Sequence, residues 1–195
     1  MKKIILTVAA VFAFGFANAQ EEAKGEGFSK GDVFISGSVG VNSAKQGDVK
    51  ENGFDISPKA AYFVTNNIAI GAKIGYETLK KENEVATTLD QNTFKVGVFG
   101  RYYTTPATKF SLFGELGAEY WMGKDKLTDT KVNTFDIGFR PGLSYFVSNN
   151  FALEATFGNL SYNSAKADVD GAEAKNTFDL NLNLSSIKFG VVYKF

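Results

Sequence analysis

The chain has 195 residues, with 21 Lys+Arg against 21 Asp+Glu, no Cys and no His, and it is rich in Gly, Phe and Tyr. A balanced charge argues against a nucleic-acid binder, which needs a basic surplus to neutralise phosphates. The missing Cys excludes disulfide scaffolds, thiolate metal sites and cysteine nucleophiles. The missing His removes the commonest general base and metal ligand, so neither an enzyme nor a cofactor is expected, and one domain is the prior for this length.

The N-terminus reads as a targeting segment. Lys2 and Lys3 precede an apolar stretch from Ile4 to Phe16, and Ala17-Asn18-Ala19 supplies the small residues of a cleavage site. The stretch is too short to cross roughly 30 Å of hydrocarbon as a helix. Residues 1–19 are therefore expected to be a cleaved signal peptide, residues 20–195 the exported domain, and Gln20 the mature N-terminus. Nothing downstream is a continuous apolar run of helical spanning length, so entry into a membrane would have to use strands.

After a polar tether from Glu21 to Lys30, period-2 alternation rich in Val, Ile, Phe and Tyr recurs to the end of the chain. It predicts eight strands: Val33 to Val41, Phe54 to Val64, Ile68 to Glu77, Thr93 to Tyr103, Phe110 to Met122, Thr134 to Phe146, Phe151 to Tyr162 and Phe178 to Phe195. The connections alternate. Thr65-Asn66-Asn67, Thr104 to Lys109 and Val147 to Asn150 are short; Asn42 to Gly53, Thr78 to Asn92, Gly123 to Asn133 and Asn163 to Thr177 are expected to be long polar loops. Short turns at one end and long loops at the other describe an up-and-down antiparallel meander. An internal repeat supports it: Pro58 to Ile70 realigns with Pro141 to Leu153 at an offset of 83 residues, keeping the Pro, Tyr, Phe, Val, both Asn and an Ala in order.

The faces of these strands differ. The more apolar row includes Ile35, Ile56, Ile70, Val96, Leu112, Ile137, Leu153 and Val191, and carries no charge. The opposite row holds Asp55, Lys59, Lys73, Glu77, Lys95, Arg101, Glu115, Glu119, Asp136, Arg140, Glu154, Lys188 and Lys194 among small residues. A soluble sandwich would turn the apolar row inward. Aromatic residues, however, edge that row at both ends, with Tyr62, Tyr102, Phe110, Tyr145, Phe151, Tyr193 and Phe195 near the short turns and Phe54, Tyr76, Phe94, Tyr120 and Phe135 near the loops. Two aromatic girdles are the mark of an outer-membrane barrel. Phe54 to Tyr62 spans eight steps, or about 20 Å of height after a ~40° tilt, close to the expected apolar band. The fold predicted is all-β, an eight-stranded antiparallel up-and-down transmembrane β-barrel with its apolar row in lipid.

An eight-stranded barrel is just wide enough for its own side chains to fill. Lys59, Lys73, Arg101, Glu115, Arg140 and Glu154 are expected to form a paired network that plugs the lumen. Pro58 and Pro141 fall inside strands, which calls for a local bulge or kink near the short-turn end. The last strand changes parity between Leu184 and Ile187, which a bulge around Ser185 and Ser186 would reconcile.

The tail Ile187 to Phe195, with Phe189, Val191, Tyr193 and the terminal Phe195 alternating, resembles the C-terminal signal by which bacterial outer-membrane proteins are recognised for insertion. With the Pro-x-x-x-Tyr-Phe-Val-Thr/Ser-Asn-Asn-x-Ala units and the Gln after Ala19, the mature chain resembles small outer-membrane β-barrel proteins, often called porin family, of Bacteroidetes-type bacteria. The resemblance implies an outer-membrane address, contact with outer-membrane lipid and the insertion machinery, and no particular activity. The chain departs from two-domain relatives that add a peptidoglycan-binding module, so anchoring of that kind is not expected. Barrel deacylases, palmitoyltransferases and proteases are similar in architecture but rely on a His that is absent here. No Ser lies in a recognisable nucleophile motif. Asp168-Val169-Asp170-Gly171 fails as a calcium loop, because it puts Lys166 and Thr177 at the end ligand positions. Lys80-Lys81 and Lys124 to Lys126 read as loop solubilisers. The function expected is a non-enzymatic structural or interaction barrel with long extracellular loops. A narrow channel for small solutes and an accessory barrel of a secretion system are the alternatives.

Overall fold

The computed structural model describes residues 25–181 and 187–195. Its strands are β1 Val33–Gln46, β2 Val49–Phe63, β3 Ile68–Glu82, β4 Thr87–Tyr103, β5 Phe110–Asp125, β6 Lys131–Phe146, β7 Phe151–Thr156, β8 Asn159–Ala167, β9 Lys175–Asn181 and β10 Lys188–Lys194. Each pairs antiparallel with its neighbours. The strands β7 and β8 are two halves of the seventh crossing, and β9 and β10 are halves of the eighth. β1 meets β10 from Phe34↔Lys194 to Gly37↔Val191, which closes an eight-stranded barrel. Beyond Gly37, among the described residues, β1 pairs with β2 alone and β9 with β8 alone.

The apolar row faces outward. Ile70, Val96, Leu112 and Ile137 are exposed, whereas Lys73, Arg101 and Glu115 are buried inside. The outer girdle runs across the register as Tyr76↔Phe94, Tyr120↔Phe135 and Tyr162↔Phe178. The opposite girdle is continuous at the closure, where Phe151 and Tyr193 rings lie 4.9 Å apart and Tyr193 and Phe195 4.8 Å apart.

The regions expected to be long loops are instead mostly strand. β1 and β2 stay paired to Gln46↔Val49, leaving only Gly47-Asp48 as the turn. The turns between β3 and β4 and between β5 and β6 are also brief, covering residues 83–86 and 126–130. The polar stretches alternate well enough to continue the ladders once the barrel has fixed their register. They form paired hairpins rising beyond the outer girdle. Only the connection between β8 and β9, residues 168–174, is a longer loop.

The two prolines behave differently. The β2–β3 register is the same at Ile56↔Tyr76 and at Lys59↔Lys73, so no residue is inserted at Pro58 and the expected bulge is absent there. Near Pro141 a bulge does form, but on the adjoining strand. The register slips by one residue between Gly142↔Thr156 and Phe139↔Leu160, around Phe157 and Gly158, whose φ is +76°. The Phe157 N–H donates to the Pro141 carbonyl at 3.1 Å. One inserted residue flips every following side chain. Phe151 and Leu153 therefore face out in β7, while Leu160 and Tyr162 face out in β8, a switch that the single predicted window Phe151 to Tyr162 did not contain. A parallel switch separates Phe178 and Leu180 in β9 from Phe189 and Val191 in β10. The predicted bulge at Ser185 and Ser186 lies outside the described residues.

The repeat acquires a physical meaning at the short turns. In both copies a hydroxyl caps the turn: Thr65 Oγ1 accepts from the Ile68 N–H at 2.9 Å, and Ser148 Oγ from the Phe151 N–H at 3.1 Å. In both, the second Asn reaches a neighbouring strand end, Asn67 Nδ2 donating to the Tyr103 carbonyl at 2.8 Å and Asn150 Nδ2 to the Lys194 carbonyl at 2.9 Å.

Candidate functional site

The lumen has two layers. The layer at the short-turn end is dry and aromatic. Phe34, Phe63, Tyr103 and Phe146 point inward there, and Phe28, from the segment preceding β1, inserts among them. Its ring lies 4.7 Å from Phe63, 4.8 Å from Phe146, 5.2 Å from Tyr103 and 5.3 Å from Phe34. Backbone contacts fix this strap. The Phe28 N–H donates to the Pro106 carbonyl at 2.6 Å, the Gly31 N–H to the Phe63 carbonyl at 2.9 Å, and Lys194 Nζ to the Gly27 carbonyl at 2.6 Å. Gly27 has φ +102°, and a Cβ there would meet the Pro106 carbonyl at 2.5 Å, so only glycine fits. The end of the polar tether thus supplies the floor, a role that its one Phe among Gly, Glu and Lys did not announce.

Above the floor lies the ionic layer. Glu115 on β5 is fully buried and accepts from Arg101 Nη2 at 2.7 Å, Arg101 Nε at 3.2 Å, Lys59 Nζ at 2.9 Å and, more distantly, Lys73 Nζ at 3.5 Å. Arg101 Nη1 reaches Glu154 Oε1 at 2.5 Å and the Tyr103 hydroxyl at 2.8 Å. Lys73 continues the chain to Glu119 at 2.7 Å, and Arg140 bridges Glu119 at 3.2 Å and Asp136 at 3.1 Å. Lys59, Lys73, Arg101, Glu115 and Glu154 therefore meet directly. Arg140 joins them only through Glu119 and Lys73.

Strand register explains the convergence. Arg101↔Glu115 and Glu115↔Arg140 are cross-strand partners on the inward face, as are Lys59↔Lys73. Like charges directly opposite, as at Lys59 and Lys73, repel; Glu115 between them offsets that. The Arg101 guanidinium also lies 4.0 Å from the centre of the Phe113 ring, at the junction between the two layers. Gly142 makes room for that ring, since a Cβ there would be 2.4 Å from it.

On the hairpin side of the network is a cavity of about 320 Å³, lined by Lys59, Lys95, Glu119, Trp121, Arg140 and Lys188 among others. Trp121, the only Trp of the chain, faces into it rather than lipid. Its Nε1 donates to Glu119 at 3.2 Å, and Lys95 Nζ lies 4.5 Å from its ring centre while pairing with Glu77. The parity of Trp121, odd like Glu115 and Glu119, was the signal for this placement. Among the described residues no group of His, Cys, Asp and Glu is arranged to hold a metal.

A closed antiparallel barrel with an apolar outer wall between two aromatic girdles and charges sealed within is the construction of a transmembrane β-barrel. The sequence matches the family described as outer membrane protein beta-barrel domain over residues 6–195, and the chain belongs to that family, which gives its outer-membrane address. Among solved structures it is similar to the outer membrane protein OprG from Pseudomonas aeruginosa, with a TM-score of 0.54 and 13% identity, covering 89% of this chain and 99% of that one. Neisserial surface protein A gives 0.46 at 17% identity, covering 84% and 96%. A major outer membrane protein from Thermus thermophilus gives 0.48 at 10%, covering 84% and 99%. At these identities the likeness to OprG concerns the fold alone. A comparison with curated proteins finds no match.

Proposed function

We propose that this protein is a non-enzymatic outer-membrane barrel with a structural or interaction role, whose lumen does not conduct solutes from end to end. The observation that carries this is the aromatic floor: Phe28 sits against four inward aromatic rings, and all five are buried. Barrels of this class keep their short turns in the periplasm, so we read the floor as the periplasmic mouth and the paired hairpins as the surface offered to the exterior. The residues Lys59, Lys73, Arg101, Glu115, Arg140 and Glu154 then act to fill and order the lumen.

In the same reading residues 1–19 are a cleaved export signal and Phe189, Val191, Tyr193 and Phe195 address the chain to the insertion machinery. The exposure of Phe189 and Val191 on the outer wall supports a face open to that machinery. The deciding experiment is a planar-bilayer recording of the refolded protein. No stable conductance is expected. Nanosiemens conductance abolished by Arg140→Ala or Glu154→Ala, with folding intact, would establish a channel instead.

A further inference from the structure

A second cavity, of about 370 Å³, lies among β4, β5 and β6 on the hairpin side of the girdle residues Phe94, Tyr120 and Phe135. Register sets its inward-facing residues side by side, with Trp121↔Thr134, Thr93↔Gly123 and Gln91↔Asp125 as direct partners. Gly123 places no side chain between Trp121 and Asp125; a Cβ there would lie 3.2 Å from the Val132 carbonyl and 3.6 Å from Thr93 Oγ1. The result is a cup with an indole at one end and a carboxylate at the other. Trp121 also lines the ionic cavity beneath, so its ring divides the two. Lys95 and Glu119, which contact the indole, line only the lower cavity, whereas Thr134 lines only the upper one. Toward the hairpins the ring therefore meets hydroxyls in place of charges.

The rest of the upper lining is dominated by neutral hydrogen-bonding groups, from Gln91, Thr93, Thr128, Thr130 and Thr134. Its two charged side chains are already engaged. Lys124 pairs with Asp129, and Asp125 Oδ1 accepts from the Leu127 and Thr128 N–H groups at 2.8 and 3.3 Å. The side chains of Gln91, Thr93 and Thr134 have no hydrogen-bond partner among the described residues, although all three are half-buried. An ion would find no surplus of opposite charge here, and a wholly apolar ligand would leave these groups unmatched. A pyranose ring suits both parts of the cup. It offers a face of C–H bonds to the indole and a rim of hydroxyls that donate and accept, as Thr and Gln do. The volume falls in the range of small-molecule pockets.

We propose that this cup binds a neutral pyranose ring, stacked on Trp121 and hydrogen-bonded by Gln91, Thr93 and Thr134, with Asp125 accepting from one of its hydroxyls. Two sources present such a ring at an outer membrane, free saccharides and the sugar chains of lipopolysaccharide. This goes beyond the proposed function, because the cup lies on the hairpin side of the aromatic floor and stands whether or not the lumen conducts.

As the only Trp of the chain, Trp121 reports on the site by its fluorescence. Folded, detergent-solubilised full-length protein is titrated with D-glucose, D-galactose and N-acetyl-D-glucosamine, and separately with lipid-free core oligosaccharide released from lipopolysaccharide by mild acid. Tryptophan emission and binding heat are recorded. At least one of these probes is expected to give a saturable response that acyclic sorbitol at equal concentration does not reproduce. A response to the free sugars assigns the cup to saccharides of the surroundings, and a response to the core oligosaccharide alone assigns it to the membrane's own glycan; either supports the proposal. Trp121→Leu is expected to abolish the binding heat, and Thr93→Val with Thr134→Val to weaken affinity about tenfold, through two lost hydrogen bonds. Ser43→Ala, on β1 and outside the cavity, is expected to leave it unchanged. Heat-modifiable gel migration checks that the variants are folded, and the contrast between pyranose and sorbitol needs no variant. No saturable response to any of the four probes, an equal response to sorbitol, or an unaltered affinity in the folded Trp121→Leu or double Thr variant would overturn the proposal.

Discussion

The two layers of the lumen are built by the same strands yet held by opposite physics. The floor of Phe28, Phe34, Phe63, Tyr103 and Phe146 excludes water by ring packing, with the buried Lys194 ammonium held at its edge 5.3 Å from the Phe146 ring centre. A few residues further along the same strands, Arg101, Glu115, Lys59, Lys73 and Glu154 exclude it by mutual neutralisation. The difference lies in how each layer fails. Removing a ring leaves a gap that neighbours partly refill. Removing one ion leaves its partners buried and unmatched, which costs more than the pair contributed.

That contrast sets the largest expected effect. Arg101→Ala strands Glu115 and Glu154 beneath two remaining lysines and should destabilise the barrel by about 3–5 kcal/mol, read as a lower urea midpoint for unfolding from detergent. The paired replacement of Arg101 and Glu154 by Met and Leu should cost distinctly less than Arg101→Ala alone. Equal losses would show that packing, not charge balance, dominates the ionic layer. Phe28→Ala comes next, at up to about 3 kcal/mol, but confined to the strap. The expected readout is faster proteolysis between residues 25 and 32 with the heat-modifiable migration of the barrel preserved. Loss of that migration would mean that the floor holds the wall itself.

A smaller effect belongs to the short turns. Asn67→Ala and Asn150→Ala should each cost about 1 kcal/mol, additively, because the two hydrogen bonds occupy separate turns. The smallest effect lies on the exposed hairpins. The Glu82 carboxyl is held below its usual range by the hydrogen bond from Lys80. Its contribution is complete above the ordinary carboxylate pKa and is lost as pH falls through the lower, folded value. Both groups are solvated, so Lys80→Gln should leave the unfolding midpoint unchanged at neutral and at mildly acidic pH.

Legibility from sequence follows the same division. Period-2 alternation carried the barrel, its strand order and which face meets hydrocarbon, because each strand spans a boundary between two media and every residue must choose a side. Of the six lumen residues named from parity, Lys73, Arg101, Glu115 and Glu154 are buried and Lys59 and Arg140 are half-buried, but parity cannot say which of them touch. Register sets Glu115 opposite both Arg101 and Arg140, yet only Arg101 pairs with it, while the Arg140 guanidinium turns to Glu119 and Asp136. Of the bulge or kink expected at Pro58, no bulge forms; the pairing with β3 merely lapses at Ser57 and Pro58, because proline removes one donor without requiring an inserted residue. The Pro141 neighbourhood was half legible, since the extra residue sits on the strand opposite. Polar hairpin stretches read as loops because their alternation is weak until a neighbour fixes it.

By itself, then, the sequence determined the wall: a segment pattern with charges confined to one row admits few arrangements other than a closed barrel in lipid. Only the tertiary structure decided what fills that wall. The strap that drops Phe28 into the mouth, the inward turn of Trp121 and the cavity beside Lys188 all depend on contacts between residues distant in the chain. Alternation specifies a side of the sheet, whereas neighbours across the lumen are set by register and closure.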